Sequence, residues 1–150
     1  MNEEDVQVRE LAPSEFPRVE EELWSNYHGQ SADKKTDRIY GAFVDGTLAG
    51  CARVRSHADG LEVDGVFVLD EFRGRGLARR LMDAVLEGFG DQMLWMHSVI
   101  ELVPFYRSLG WRPVPEEKLP PTIKERLIFC LGEMEGCGVA PMVRAAGGAG

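Results

Sequence analysis

Residues 66–81 read Val66-Phe67-Val68-Leu69-Asp70-Glu71-Phe72-Arg73-Gly74-Arg75-Gly76-Leu77-Ala78-Arg79-Arg80-Leu81. The opening residues belong to a hydrophobic, strand-like run over 61–69, which Arg73-Gly74-Arg75-Gly76 breaks. Beyond the break Ala78, Leu81, Met82, Val85 and Phe89 share one helical stripe, with Arg79, Arg80, Asp83 and Glu87 outside it. A glycine-rich turn between a strand and a helix bares several backbone N–H groups at the positive end of the helix dipole, an arrangement that binds phosphate oxygens. Arg73, Arg75, Arg79 and Arg80 bring four of the chain's 17 basic residues into eight positions. Cations are gathered where a phosphate would sit.

Outward from this segment the pattern is that of a mixed α+β chain. Residues 6–11 alternate as a strand, and Pro13-Ser14-Glu15 opens an amphipathic stretch carrying Phe16, Val19, Leu23 and Trp24. Residues 25–37 are polar and irregular, a connector or a short second helix. Strand-like runs at 38–44 and 47–55 flank Asp45-Gly46, a dipeptide suited to a tight hairpin, and His57-Ala58-Asp59-Gly60 turns the chain into 61–69. A three-stranded antiparallel meander is predicted. Downstream, Gly88 and Gly90 end the helix, 92–99 is a strand, 102–109 a short helix stopped at Gly110, 111–114 a strand and 115–121 a loop. Thr122 with Glu125 forms a capping-box pattern ahead of a helix whose apolar face is Ile123, Leu127, Leu131 and Met134. Residues 138–145 read as the last strand. The whole is predicted to be one domain over 1–145 with a disordered tail at 146–150.

The chain of 150 residues carries 25 acidic and 17 basic side chains, a formal charge of −8. That charge repels polyanions over long range, so neither nucleic acid nor an anionic membrane is an expected partner. No apolar run reaches the roughly 18 residues of a spanning helix, and the opening residues lack the order of a secretory signal. Cys51, Cys130 and Cys137 have neither the even count of a disulfide framework nor a C-x-x-C spacing, so no metal is predicted and a reducing cytoplasm is the expected compartment.

The phosphate ligand is narrowed by what the loop lacks. No glycine precedes a lysine, which removes the P-loop, and Arg79 stands where the dinucleotide fingerprint needs its third glycine. Arg73, Gly76 and Ala78 instead spell R-x-x-G-x-A, which resembles the acetyl-CoA pyrophosphate loop of the GNAT superfamily of N-acetyltransferases. About 30 residues later, Pro104-Phe105-Tyr106-Arg107-Ser108-Leu109-Gly110-Trp111 is similar to that superfamily's late helix-to-strand motif. The two motifs, in the required order, cover roughly residues 61–115. The resemblance implies a GNAT-like α+β fold: a mixed, mostly antiparallel sheet of about seven strands, splayed between the fourth and fifth and flanked by helices. It implies acetyl-CoA as the acetyl donor, held by Val66, Phe67, Val68, Arg73, Gly74, Arg75, Gly76, Leu77, Ala78 and Arg79, with an amine as acceptor; a homodimer is its family-level assembly.

An amine with a pKa of roughly 10.4 is almost wholly protonated at pH 7, so acetyl transfer gains from a base or from desolvation. The resemblance assigns the donor to the developing oxyanion to the strand backbone near Val68, pairs the backbone of Val66 and Val68 with the pantetheine arm, and makes Tyr106 the acid that protonates the leaving thiolate. Glu62, on the strand entering the site with Asp64, stands at the spacing from Arg73 at which some members carry a catalytic glutamate; His97 and Glu101 are rival bases, while His28 and His57 read as loop residues. Each has a plainer reading: Tyr106 as a core aromatic, the carboxylates as solvated strand residues, the histidines and cysteines as packing. The chain departs from the family at Val99, where many members carry asparagine, and at Asp70, where a proline is common. The stretch 115–136 is longer than the usual hairpin, and its helix is expected to cover the acceptor pocket. The alternative function is a non-catalytic module that binds acyl-CoA as a sensor or interaction protein.

Overall fold

Two tight turns lay out the first half of the sheet. Asp45 and Gly46 both adopt positive φ, 48° and 83°, the mirror-image turn whose twist matches the strands it joins. It links β2 (Asp37–Val44) to β3 (Thr47–His57), and the turn at 58–59 returns the chain as β4 (Gly60–Val68). β1 (Val6–Glu10) adds antiparallel to β2, with Val6 opposite Val44 and Glu10 opposite Tyr40. Later come β5 (Leu94–Val99), β6 (Arg112–Pro113) and β7 (Val139–Arg144), in the sheet order β1-β2-β3-β4-β5-β7-β6. β4 and β5 run parallel and pair at Leu61 with Leu94 and Glu62 with Trp95. Among the described residues their pairing is recorded at those two positions, while β4 continues to Val68. The computed structural model describes residues 5–26, 29–133 and 138–148; His28, Met134, Gly136 and Cys137 lie outside the described residues.

The helices are α1 (Phe16–Glu22), α2 (Leu77–Phe89), α3 (Val103–Arg107) and α4 (Pro121–Glu133). The chain divides into two compact units, Met1–Arg55 with Asp64–Gly88 and Ser56–Val63 with Phe89–Gly150. In the first, the α1 stripe of Phe16, Val19, Leu23 and Trp24 is fully buried with Leu11, Ile39, Phe43, Leu48 and Cys51, as its spacing predicts. In the second, Leu119, Ile123 and Leu127 form a core against Trp95, Val114 and Val139, so the first half of the α4 apolar face is inward.

Four local readings are corrected. Gly88 lies inside α2, where a Cβ would stand 2.5 Å from the Tyr40 hydroxyl; the glycine makes room for a side chain of β2 and does not end the helix. β6 is only two residues long, because Pro113 and Pro115 have no N–H to give a ladder. Thr122 is not the cap of α4: the helix begins at Pro121, and the Thr122 N–H donates to the Asp59 carboxylate at 2.9 Å, so the cap comes from the β3–β4 turn. The start of the presumed tail, Ala146–Gly148, makes a 3₁₀ turn, its Gly147 N–H bonded to the Gly90 carbonyl at 2.6 Å.

Candidate functional site

The carboxyl end of β4 and the start of α2 lie in one unit, and their backbone decides which groups face outward. Leu69 N–H donates to the Ala49 carbonyl at 2.9 Å, and the Phe67 carbonyl crowds Gly50, so Phe67 and Leu69 direct their polar groups at β3. Alternation along the strand turns those of Val66 and Val68 to its other edge. There the Val68 carbonyl accepts the Arg73 Nε–H at 3.1 Å. Arg73 also pairs with Asp70 at 3.0 Å and lies 6.0 Å from the Phe67 ring centroid, while Arg75 donates to the Glu71 carbonyl at 3.3 Å and lies 5.2 Å from the Phe72 ring. The aspartate at the usual proline position thus tethers an arginine of the loop.

Gly74 and Gly76 have φ of 80° and 75°, and a Cβ at either meets nothing within 4 Å. The Gly76 carbonyl accepts the Arg80 N–H at 3.1 Å, so α2 starts immediately after it, and its first N–H groups, at Leu77, Ala78 and Arg79, have no acceptor within the helix. Bare turn, open space, helix terminus and exposed guanidinium groups fit the pyrophosphate of a nucleotide-linked cofactor. The strand before the loop is fixed from behind. Gly65, at φ 60°, presents its carbonyl to Trp24 Nε1 at 3.1 Å and Cys51 Sγ at 3.3 Å. Burial pushes the Cys51 thiol up to about 12, so it holds its proton and serves as a structural donor.

A buried polar network ties the connector after α1 to the same unit. Arg53, with no exposed surface, grips Asp64 through Nε at 2.7 Å and Nη2 at 3.0 Å, donates to the Ser31 carbonyl at 2.8 Å and to Gln30, and stacks 4.4 Å from the Trp24 ring centroid. Asp64 also meets Arg55 at 3.0 Å. Both Asp64 oxygens thus face arginine side chains.

In the other unit Glu62 is completely buried. Its Oε1 accepts the Arg126 Nε–H of α4 at 2.6 Å and lies 2.8 Å from His57 Nε2; its Oε2 has no hydrogen-bond partner among the described residues. Glu62 is therefore not the solvated strand carboxylate of its plainer reading. His57 closes β3 and is not the loop residue its sequence context suggests; neither it nor Arg126 is among the site residues read from the sequence. The alternation Arg53, Arg55, His57 along β3 against Glu62 and Asp64 along β4 is the signal that marks the first; Arg126, 64 positions from Glu62, has none. His97 is buried with Nε2 2.8 Å from the Ile123 carbonyl, a contact that docks β5 against α4, and Glu101 is exposed in the turn Ile100–Leu102. Tyr106 is 5% exposed, edge-on to Phe105 and to Trp111 at centroid distances of 5.1 and 6.2 Å, and its carbonyl accepts the N–H of Leu109 and of Trp111. Of the sequence-derived residues, 66–79 share the first unit; Glu62 and Tyr106 belong to the second.

Solved structures of the same fold include Escherichia coli ElaA (TM-score 0.66, 16% identity, covering 93% of this chain and 99% of that one). The ribosomal-protein-S18-alanine N-acetyltransferase of Escherichia coli matches with TM-score 0.66 at 14% identity over 93% and 92%. Arabidopsis thaliana Naa50 in complex with the bisubstrate analogue CoA-Ac-MVNAL matches with 0.64 at 13% over 93% and 98%. Among curated proteins no sequence match is found. The model of the acetyltransferase (GNAT) domain matches residues 3–122, a span that holds the Arg/Gly loop, Glu62 and the Tyr106 motif, and the chain accordingly belongs to the GNAT acetyltransferases, a family of acyltransferase enzymes.

Proposed function

We propose that this protein transfers an acetyl group from acetyl-CoA directly to a primary amine of a small molecule, peptide or protein. The observation that carries the reading is the bare Gly74 and Gly76 turn at the α2 terminus, flanked by Arg73, Arg75, Arg79 and Arg80. Those residues, with the outward backbone of Val66 and Val68, would hold the pyrophosphate and pantetheine portions of the donor. Bound acetyl-CoA supplies an activated acyl thioester. The N–H of Val68 is suited to hydrogen-bond the acyl oxygen as it gains charge. Through Oε2, which has no hydrogen-bond donor among the described residues, Glu62 takes a proton from the amine nitrogen as it attacks, and Tyr106 gives its hydroxyl proton to the departing sulfur. Direct transfer agrees with Cys51, whose buried, protonated thiol is no nucleophile. An amine acceptor also agrees with the fold neighbours that carry N-acetyltransferase names.

Release of CoA thiol, followed across a panel of amines and peptides, tests the reading. Turnover with at least one primary amine, accompanied by an N-acetyl product, is expected. Tight CoA binding with no turnover on any acceptor would favour the sensor module instead.

A further inference from the structure

Glu62 is buried, yet among the described residues only one of its oxygens has a hydrogen-bond partner. Oε1 is shared by Arg126 and His57, while Oε2 waits for a donor. A buried carboxylate oxygen with no hydrogen bond is unfavourable, and a ligand group that donates to it relieves the cost. The surrounding charges decide which donor suits it. From α4 comes Arg126, a permanent cation; from β3 comes His57, with Asp59 as its charged neighbour; from β5, Trp95 lies opposite Glu62 and is uncharged. The guanidinium already balances the carboxylate. A second full cation at Oε2 would have to share the carboxylate with Arg126, whereas a neutral amine offers its N–H there without needing a counter-charge.

We infer that Arg126 makes the site selective for acceptors whose amino group sheds its proton easily, the α-amines of peptide N-termini and amino-acid amides, over lysine ε-amines and polyamines. α-Amino groups have pKa values of about 8 and lysine side chains about 10.4, so the first class presents far more neutral nitrogen near pH 7.5. This assignment rests on the acetyltransferase reading and on Glu62 meeting the acceptor. It gives the helix of the 115–136 stretch a chemical part in acceptor choice through one side chain.

The test compares kcat/KM for alanine amide and for Nα-acetyl-lysine amide at one pH and ionic strength, in wild type, Arg126→Gln and Arg126→Lys. Wild type should favour the α-amine. Arg126→Gln, which keeps a donor and removes the charge, should lower the α-to-ε ratio about ten-fold, and Arg126→Lys should keep it near the wild-type value. A ratio unchanged in a folded Arg126→Gln overturns the inference, as does a wild type that prefers the lysine side chain, a result that needs no variant. Transfer to neither amine in wild type overturns the inference, and only failure across the whole panel of amines and peptides overturns the acetyltransferase reading as well; transfer to both with an unchanged ratio overturns the inference alone.

Discussion

A side chain at Gly76 would stand in the open space before the α2 terminus, since a Cβ built there meets no atom within 4 Å. Its φ of 75° adds a backbone penalty of about 1–2 kcal/mol for any L residue. Gly76→Val should therefore remain folded with a modestly lower Tm and lose CoA affinity by more than about ten-fold, read by calorimetry; retained affinity in a folded variant would sink the phosphate-loop assignment. Tyr106 carries the opposite risk, because its ring is part of the core whether or not its hydroxyl reacts. Tyr106→Phe keeps the ring. If the hydroxyl protonates the leaving thiolate, kcat should fall about 10²-fold with CoA binding unchanged. A kcat equal to wild type would reduce Tyr106 to packing.

Among elements, the connector after α1 is the least regular and the most firmly tied. Residues 29–37 have little repetitive structure, yet Gln30, Ser31 and Asp37 all reach Arg53 on β3. Removing the guanidinium leaves Asp64 and Asp37 buried or half-buried with unbalanced charge, so Arg53→Ala should cost about 3–5 kcal/mol in urea unfolding. A loss under about 1 kcal/mol would mean that water replaces the arginine. Helix α4 shows a similar dependence on distant groups. Its cap is Asp59, its anchor to β4 is the Arg126–Glu62 pair, and its backbone carbonyl at Ile123 meets His97. The sequence pattern locates the start of the helix to within two residues, but its capping box is wrong because a carboxylate from another turn reaches the N–H groups first.

For the molecule as a whole, the charge of −8 includes an arginine island at 73–80 and several carboxylates held by hydrogen bonds from arginines. Glu15 is lowered to about 2 by its hydrogen bonds from Arg9 and from the Ala12 N–H; Glu10 and Glu22 are lowered by Arg38 and Arg18. Folded pKa values below the unfolded ones mean stability present above about pH 4.5 and lost as pH falls toward 2. Tm should accordingly drop across that window, and Glu15→Gln should flatten the drop; identical pH slopes would show that Glu15 takes no part. What the sequence by itself determined is what neighbouring residues decide: the Asp45-Gly46 hairpin, the amphipathic stripes of α1 and α2, and the Arg/Gly turn with its helix terminus, each set by backbone freedom and apolar spacing over a few positions. Only the tertiary structure decided the room that Gly88 leaves for Tyr40, the cap from Asp59, and the meeting of His57, Glu62 and Arg126. Those depend on strand register and on a helix returning 64 positions later, where burial removes water and leaves each polar atom to find its partner across the fold.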